Sequence, residues 1–468
     1  MNYTVAKNYK FITADSREVI PGTMFICKGK TFKREYLLSA IEKGAAAYVS
    51  EKDYKVNIPA YIVKDVLSAM AGLANAFYGN PWEDLQLIGI TGTKGKSTVL
   101  YYLKNIIEKK GLPFGYLSTI DTFDGIEKFE SHLTTPESLD LARHFDNAKK
   151  AGLKYFGMEA SSQGFKYHRT DGVIFKIGAF LNFGPDHIGE NEHTDIEDYF
   201  NAKTKIFSQC EKALINTDCE RADMIAEAAK QCKQTVTFSA GRKADYTAAN
   251  TGTQGGIHFD LIVRGKNLGE IRLCMPGLFN VENAVAAAAM AMELGFSFSD
   301  VKEGLSDAVA AGRMEVLEDK ERQVKCIVDY AHNSLSFEKL FSSLREEYPD
   351  WQIQAFYGCP GGKGLRRRKE LPEVSARLCD YTWITEEDPF MEDPAKISKE
   401  VYANLIKFGG KGRIIDDREE AVKTAIAEAK PKTIIVLTGK GREEYQHRAT
   451  GYEKVESEYN MVKKYLGI

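Results

Sequence analysis

The stretch Leu85-Gln86-Leu87-Ile88-Gly89-Ile90-Thr91-Gly92-Thr93-Lys94-Gly95-Lys96-Ser97-Thr98 decides the fold. Its first six residues form an apolar run of strand length, Gly92 and Gly95 bracket a tight turn, and Val99 to Lys109 has the pattern of a helix. A glycine-rich turn between a buried strand and a helix aims successive backbone N–H groups at one point, where the helix dipole also favours an anion. Such a turn grips phosphate. Lys96 reaches the terminal phosphates of ATP, and the Ser97 hydroxyl suits the Mg2+ ion that travels with it. The strict pattern G-x-x-x-x-G-K-[ST] asks for glycine where Ile90 stands, so the match is to the shorter G-x-x-G-K-[ST]. An ordinary capped turn is the bland alternative, and the strand before and helix after argue against it.

Working outward, Asn80-Pro81-Trp82 is a turn signal that closes a first α/β segment, residues 1–85, containing the short apolar runs Met24 to Cys27 and Ala47 to Val49 and a helical pattern over residues 36–43. Residues 86–312 alternate apolar runs (Tyr155 to Met158, Ile177 to Leu181) with helices, including an alanine-rich one from Val281 to Leu294. Near Ala311-Gly312-Arg313 the pattern restarts. Val324 to Val328, Ile353 to Tyr357, Tyr381 to Thr385, Arg413 to Ile415 and Thr433 to Leu437 are short strands separated by helices. The prediction is an α/β protein of three domains: a small one at 1–85, a central ATP-binding one at 86–312 on a parallel or mixed sheet, and a Rossmann-like doubly wound one at 313–468.

The bulk numbers set bounds on function. With 43% hydrophobic and 28% charged residues and a net charge of -3, the chain has the balance of a globular protein acting on small molecules, with no reason to bind nucleic acid. Eight scattered cysteines include no C-x-x-C pair, which speaks for reduced thiols rather than a zinc site or disulfide framework. No signal peptide or membrane-length apolar run is present, and a cytoplasmic monomer with no membrane partner is expected.

Further motifs carry a family resemblance. With Gly92 to Thr98 the chain resembles the Mur ligases and the related folylpolyglutamate synthetases. Thr13-Ala14-Asp15-Ser16-Arg17, Pro21-Gly22-Thr23-Met24-Phe25, Leu133-Thr134-Thr135-Pro136-Glu137, Met158-Glu159-Ala160-Ser161-Ser162, His168-Arg169, Asp186-His187, Asn201-Ala202-Lys203, Asp329-Tyr330-Ala331-His332 and Gly439-Lys440-Gly441-Arg442-Glu443 look like the Mur ligases in particular, across nearly the whole chain and in order. The best-matching branch adds the third amino acid to UDP-N-acetylmuramoyl-L-alanyl-D-glutamate, a cytoplasmic step of peptidoglycan synthesis.

The resemblance implies roles residue by residue. A carboxylate must be given a leaving group before an amine attacks it, and here the implied intermediate is an acyl phosphate on the D-glutamyl carboxyl. Phosphoryl transfer asks mostly for positioning and charge neutralisation. Lys96, Glu159, His187 and Lys203 are the implied catalytic set; Ser97, Glu159 and His187 would hold Mg2+, joined by Lys203 as a carbamate, whose modification turns a cation into an anion. A surface lysine is the bland reading of Lys203. Ser16, Lys30 and Thr31 match uridine-diphosphate contacts, and Thr134, Thr135, Ser161 and Arg169 match contacts to the muramoyl dipeptide. Asn280, Asn283, Arg313 and Asp329 match positions near adenine and ribose, although an asparagine early in a helix is as often a cap.

The amino acid added is read from Glu387-Asp388-Pro389-Phe390. Relatives that use meso-diaminopimelate have Asp-Asn-Pro-Arg here, the arginine gripping a distal carboxylate that Phe390 has no means to pair. Two adjacent acids, with Gly439 and Glu443 of the last motif, suit a side-chain ammonium, so L-lysine is expected. Ornithine fits the same electrostatics. Diaminopimelate stays open if Arg366, Arg367 or Arg368 supplies the cation, and that cluster reads equally as a solvated charge run. A folate-type ligase is disfavoured by the Asp15-Ser16-Arg17 segment, and a non-catalytic nucleotide-binding relative by the retained Lys96, Ser97, Glu159, His187 and Lys203.

Overall fold

The computed structural model describes residues 1–29, 32–131, 133–185, 189 and 193–468. Among the described residues the strands form sheets of four, eleven and six strands and a two-stranded ribbon. The chain divides into two compact units. The first is Met1–Ala248 with Leu261–Leu268 and Asn283–Gly304; the second is Ala249–Asp260, Gly269–Glu282 and Leu305–Ile468.

In the first unit, Phe11–Thr13, Thr23–Ile26, Ala45–Ser50 and Ala60–Ile62 pair in that order, all parallel. Both faces of Thr23–Ile26 are covered: Met24 and Ile26 pack with Met70 and Leu73, while Phe25 packs with Leu37 and Tyr48. That is why the run reads as continuously apolar. The helix Val66–Tyr78 is capped by Asp65, which accepts from the backbone of Leu67 and Ser68, and ends at Gly79 in the left-handed conformation.

The strand Gln86–Thr91 lies inside the large sheet between Phe175–Phe180 and Tyr155–Glu159, parallel to both, and Phe114–Leu117 follows beyond Tyr155–Glu159. Its position between two parallel neighbours explains the unbroken apolar run. The helix Lys96–Lys109 buries Val99, Leu100, Leu103, Ile106 and Ile107, a stripe at helical spacing. The edge strands Asp121–Phe123 and Lys128–Glu130 are antiparallel, and Tyr246–Gly252, His258–Val263 and Lys266–Arg272 continue the other side; none of these is signalled by the sequence pattern. The alanine-rich helix spans Phe279–Glu293, with residues 284–291 fully buried.

In the second unit the six-stranded order is Glu315–Asp319, Val324–Asp329, Thr433–Thr438, Gln352–Tyr357, Tyr381–Ile384, Gly412–Ile414. All five strands read from sequence are present and parallel, and the antiparallel Glu315–Asp319 is an addition at the edge. The last strand in sequence inserts between the first two parallel ones in space. Loops at the carboxyl ends of such strands are where doubly wound sheets place ligands.

Candidate functional site

The loop Gly92–Gly95 leaves the carboxyl end of Gln86–Thr91 and enters the helix Lys96–Lys109. Gly95 is the helix cap at φ +84°, and a Cβ there would lie 2.4 Å from Asn283 Oδ1. Both the backbone and the neighbour therefore require glycine. Asn283, singled out in the sequence, thus stands directly against the phosphate loop. Lys96 Nζ donates to the Gly92 carbonyl at 2.9 Å, and Lys203 Nζ donates to the same oxygen, also at 2.9 Å. Lys203 is 2% exposed and stands over the Tyr199 ring at 4.6 Å, so the surface-lysine reading of it fails.

Asn182, which sequence reasoning missed, ties the loop from the neighbouring strand end. Its side-chain oxygen accepts from Lys94 N at 2.8 Å, its amide donates to Lys94 O at 3.0 Å, and its own carbonyl accepts from Thr93 N at 3.1 Å. Thr93 and Thr98 are buried beside it in the loop and first helical turn.

Glu159 ends the adjacent strand, in register with Ile90, and is buried. Its Oε1 accepts from Ser97 Oγ and Thr119 N, each at 2.8 Å; Thr119 Oγ1 lies 3.1 Å from Oε2 and 3.2 Å from Thr134 Oγ1. Thr119 was also missed, since nothing local in Leu117-Ser118-Thr119 marks it. One carboxylate contacted by two hydroxyls, with that of Thr134 in line behind Thr119, beside a phosphate loop is a hard, all-oxygen donor set, and it fits Mg2+.

Thr135 Oγ1 donates to the Glu159 carbonyl at 2.9 Å and accepts from Ser161 N at 2.9 Å, while Ser161 Oγ caps Gly164 N. Arg169 donates to Thr135 O at 3.0 Å and pairs with Glu137 at 2.9 Å; its buried Nε has no partner among the described residues. An orphan buried donor of this kind is costly, which fits a ligand-facing arginine. Glu137 also receives Lys28 at 2.8 Å. Ser16 lies half-buried at the N-terminal sheet, its carbonyl receiving Lys43 Nζ at 3.0 Å. The expectations for Lys30, Thr31 and His187 fall outside the described residues.

In the second unit, Asn280 is buried and its side-chain amide donates to Pro276 O at 2.6 Å, which ties the start of the helix to the preceding turn. Asp329 accepts from Met314 N and Ala331 N at 2.9 and 2.7 Å. Arg313 lies over the Tyr330 ring at 5.0 Å, its buried Nε without a hydrogen-bond partner among the described residues.

Glu387 and Asp388 follow the strand Tyr381–Ile384, and Gly439 and Lys440 follow Thr433–Thr438. Gly439 sits at φ +102°, where a Cβ would lie 3.1 Å from Glu387 Oε2. The sequence reading gave Asp388 and Glu443 to a substrate ammonium, but both already hold one of the chain's own. Lys440 Nζ is 3.0 Å from Asp388 Oδ1, 2.5 Å from Glu443 Oε2 and 2.6 Å from the Tyr445 carbonyl. Burial works against that charge, yet Glu443 and Asp388 outweigh it and raise the lysine above its usual value. Glu387 is left as the carboxylate with no ion pair or side-chain hydrogen bond among the described residues. It is 9% exposed and lines a cavity of about 350 Å³ with Arg418, Lys440, Glu443, Arg448 and Glu458. Burial pushes its carboxyl up to about 7, although Arg418, Arg367 and Lys440 pull the other way.

Phe390 follows Pro389 at φ +53°, its ring 4.1 Å from that of His447 and beneath Lys363 Nζ at 4.6 Å. The three arginines part company. Arg368 is buried and locked to Glu392 and Glu400 at 2.9 and 3.0 Å, Arg366 is exposed, and Arg367 is half-exposed within electrostatic reach of Glu387.

Comparison with known proteins adds independent findings. The family model described as the Mur ligase middle domain matches residues 90–291, and that described as the Mur ligase, glutamate ligase domain matches residues 312–441. The chain is 37% identical over 473 residues to the UDP-N-acetylmuramoyl-L-alanyl-D-glutamate--L-lysine ligase of Streptococcus thermophilus, covering 98% of this chain and 93% of that one. The same-named protein of Streptococcus pneumoniae is 39% identical over 444 residues, at 93% and 88% coverage. Two solved structures share the fold. A UDP-N-acetylmuramoyl-L-alanyl-D-glutamate--2,6-diaminopimelate ligase gives a TM-score of 0.70 at 24% identity, covering 98% and 95% of the two chains. The MurF ligase of Thermotoga maritima in complex with ADP gives 0.66 at 20%, covering 99% of each.

Proposed function

The chain belongs to the Mur ligase family, and from that premise we propose that it joins L-lysine to the D-glutamyl carboxyl of UDP-N-acetylmuramoyl-L-alanyl-D-glutamate, using ATP, in the cytoplasmic assembly of peptidoglycan. The observation that carries the reading is the meeting of the phosphate loop, the Lys203 ammonium and Glu159 with its Ser97 and Thr119 hydroxyl contacts, the loop and Glu159 standing at adjacent strand ends. A bound Mg2+ supplies charge neutralisation for the phosphates, and Ser97 and Glu159 are the residues to hold it. Residues 1–85 take the uridine-diphosphate end of the substrate, 86–312 the nucleotide and 313–468 the amino acid.

The chain's own groups divide the work. The loop N–H groups and Lys96 orient the transferred phosphate and neutralise its charge as the D-glutamyl carboxylate attacks it. Thr134, Thr135, Ser161 and Arg169 hold the dipeptide, with the guanidinium suited to its carboxylates. Lys203, as a carbamate, turns a buried cation into an anion beside the loop. Asn283 positions Gly95 from behind. The amine of the incoming amino acid then displaces the phosphate from the acyl group, so ADP, phosphate and one new amide bond result.

Lysine is favoured by the shared name of the relatives above and by the lone carboxylate of Glu387 in its cavity. A side-chain ammonium satisfies that group, whereas the distal carboxylate of diaminopimelate meets no arginine at Phe390 and finds Arg368 already occupied. The test is phosphate release with UDP-muramoyl dipeptide and, in turn, lysine, ornithine and meso-diaminopimelate. Lysine should give the highest kcat/KM. Equal or better turnover with diaminopimelate refutes the specificity, and no release with any amino acid refutes the activity.

A further inference from the structure

Behind the helix that carries Lys203, two thiols meet. Cys210 opens the strand Cys210–Asn216, and Cys232 lies between the helix Ala222–Ala229 and the strand Gln234–Ser239. The two strands are parallel neighbours, with Lys212 opposite Gln234, so the register brings the cysteines together although 22 positions separate them. Their Sγ atoms are 3.4 Å apart. We propose that Cys210 and Cys232 are a modification site: they form a reversible intrachain disulfide when the protein meets a small-molecule disulfide such as glutathione disulfide.

Three features argue for this pair. First, both sulfurs are held in place. Cys210 Sγ is wedged where a Cβ on Gly178 of the strand Phe175–Phe180 would lie 2.8 Å away, and Cys232 Sγ donates to the Phe207 carbonyl at 3.1 Å. A disulfide sulfur–sulfur distance is about 2.05 Å, so the bond asks the two sulfurs to approach by about 1.4 Å from positions the strand register already sets side by side. Second, access is asymmetric. Cys210 is buried and Cys232 half-buried, which gives the exogenous disulfide one reachable sulfur and a resolving thiol directly behind it. Third, the two thiols are polarised against each other. The hydrogen bond from Cys210 holds the Cys232 thiol below the usual cysteine range and, with burial, raises that of Cys210, while burial alone pushes Cys27 and Cys326 up to about 12 and keeps them inert.

The exchange balances in two steps. The Cys232 thiolate attacks one sulfur of glutathione disulfide and expels a glutathione thiolate, which takes up a proton. Cys210 then attacks the Cys232 sulfur, its proton passing to the glutathione thiolate that this second step expels. Two protein thiols and one disulfide become one protein disulfide and two thiols. The bridge also removes the thiol hydrogen that binds Phe207 O, in the turn Lys205–Gln209 that continues the Lys203 helix.

The test treats the full chain with glutathione disulfide, alkylates it, and maps peptides without reductant. The expected result is a cross-linked pair of peptides holding Cys210 and Cys232 that separates on adding dithiothreitol, with a thermal unfolding midpoint several degrees higher in the oxidised protein. Cys210→Ser should instead accumulate glutathione on Cys232. The exposed Cys274 gives an internal control, acquiring only a mixed disulfide. Recovery of Cys210 and Cys232 as alkylated thiols while Cys274 carries glutathione overturns the proposal, as does pairing of Cys232 with any other cysteine. The wild-type map decides the matter even if the variant folds poorly.

Discussion

Replacing Glu387 with glutamine separates the stability of its cavity from its use. The carboxyl is lifted from its usual 4.5 to about 7 by burial, which outweighs the pull of Arg418, Arg367 and Lys440, and it has no ion-pair partner among the described residues. In the unfolded chain it ionises near 4.5, so between these two values the folded state binds the extra proton. Stability therefore falls as pH rises from 4.5 to 7 and stays reduced above. At ~1.4 kcal/mol per unit the penalty at pH 8 reaches ~3 kcal/mol, an upper figure because water entering the cavity softens it. E387Q removes the charge. Urea denaturation at pH 5, 6, 7 and 8 should show the variant close to wild type at pH 5 and increasingly more stable toward pH 8. Glu458, also raised by burial, is present in both proteins and cancels in the difference. Catalysis should move the other way. A charge-assisted hydrogen bond to the substrate ammonium contributes about 1.5–3 kcal/mol, so the KM for lysine should rise roughly 10- to 100-fold at pH 8, with a smaller effect at pH 6. A stability difference that stays constant from pH 5 to 8 would refute the reasoning, because it would mean the carboxylate is already paired in the folded protein.

Three further changes test other parts of the site. Lys203→Ala should lower kcat by 100-fold or more (about 3 kcal/mol) and regain part of it with a short-chain carboxylic acid that replaces the missing anion; near-wild-type turnover of the mutant sinks that assignment. Gly95→Ala puts a methyl group 2.4 Å from Asn283 Oδ1 at a φ of +84°, and should raise the KM for ATP about tenfold while costing about 1–2 kcal/mol in folding; unchanged ATP kinetics would mean the loop is not the phosphate site. Arg368→Ala leaves Glu392 and Glu400 without their shared partner, so chemical denaturation should show a loss of about 1–3 kcal/mol with the order of preference among lysine, ornithine and diaminopimelate unchanged; a switch in that order would show that Arg368 reads the substrate.

The phosphate loop was legible because its chemistry is written in the backbone. Only glycine suits φ +84° with an asparagine oxygen where a Cβ would stand, and that demand leaves a mark in one continuous segment. Parallel strands such as Gln86–Thr91 and Thr433–Thr438 announced themselves by being apolar on both faces. The antiparallel edges did not, since half-exposed residues in short strands carry little pattern. Asn182 and Thr119 stayed hidden for a different reason: each acts by lying at the end of a strand that is a spatial neighbour of the loop, and strand order is not encoded locally. The same holds for Lys440. The motifs put two adjacent acids together with Glu443 of the last motif, and only the fold reveals that Lys440 of that last motif sits among them.

The anchoring of Lys94 by Asn182 bears on the cost of ordering the loop. A side-chain amide that bonds both the N–H and the carbonyl of one loop residue, while two lysines converge on the carbonyl of Gly92, fixes the loop as firmly as a paired strand. The entropy of setting its dihedrals is thus lost when the chain folds, and under the function proposed above a nucleotide meets a surface already shaped for it. A loop organised in this way is sensitive to changes at Asn182, a residue that acts on the backbone of Lys94 and Thr93 and by this geometry does not need to touch the phosphate at all.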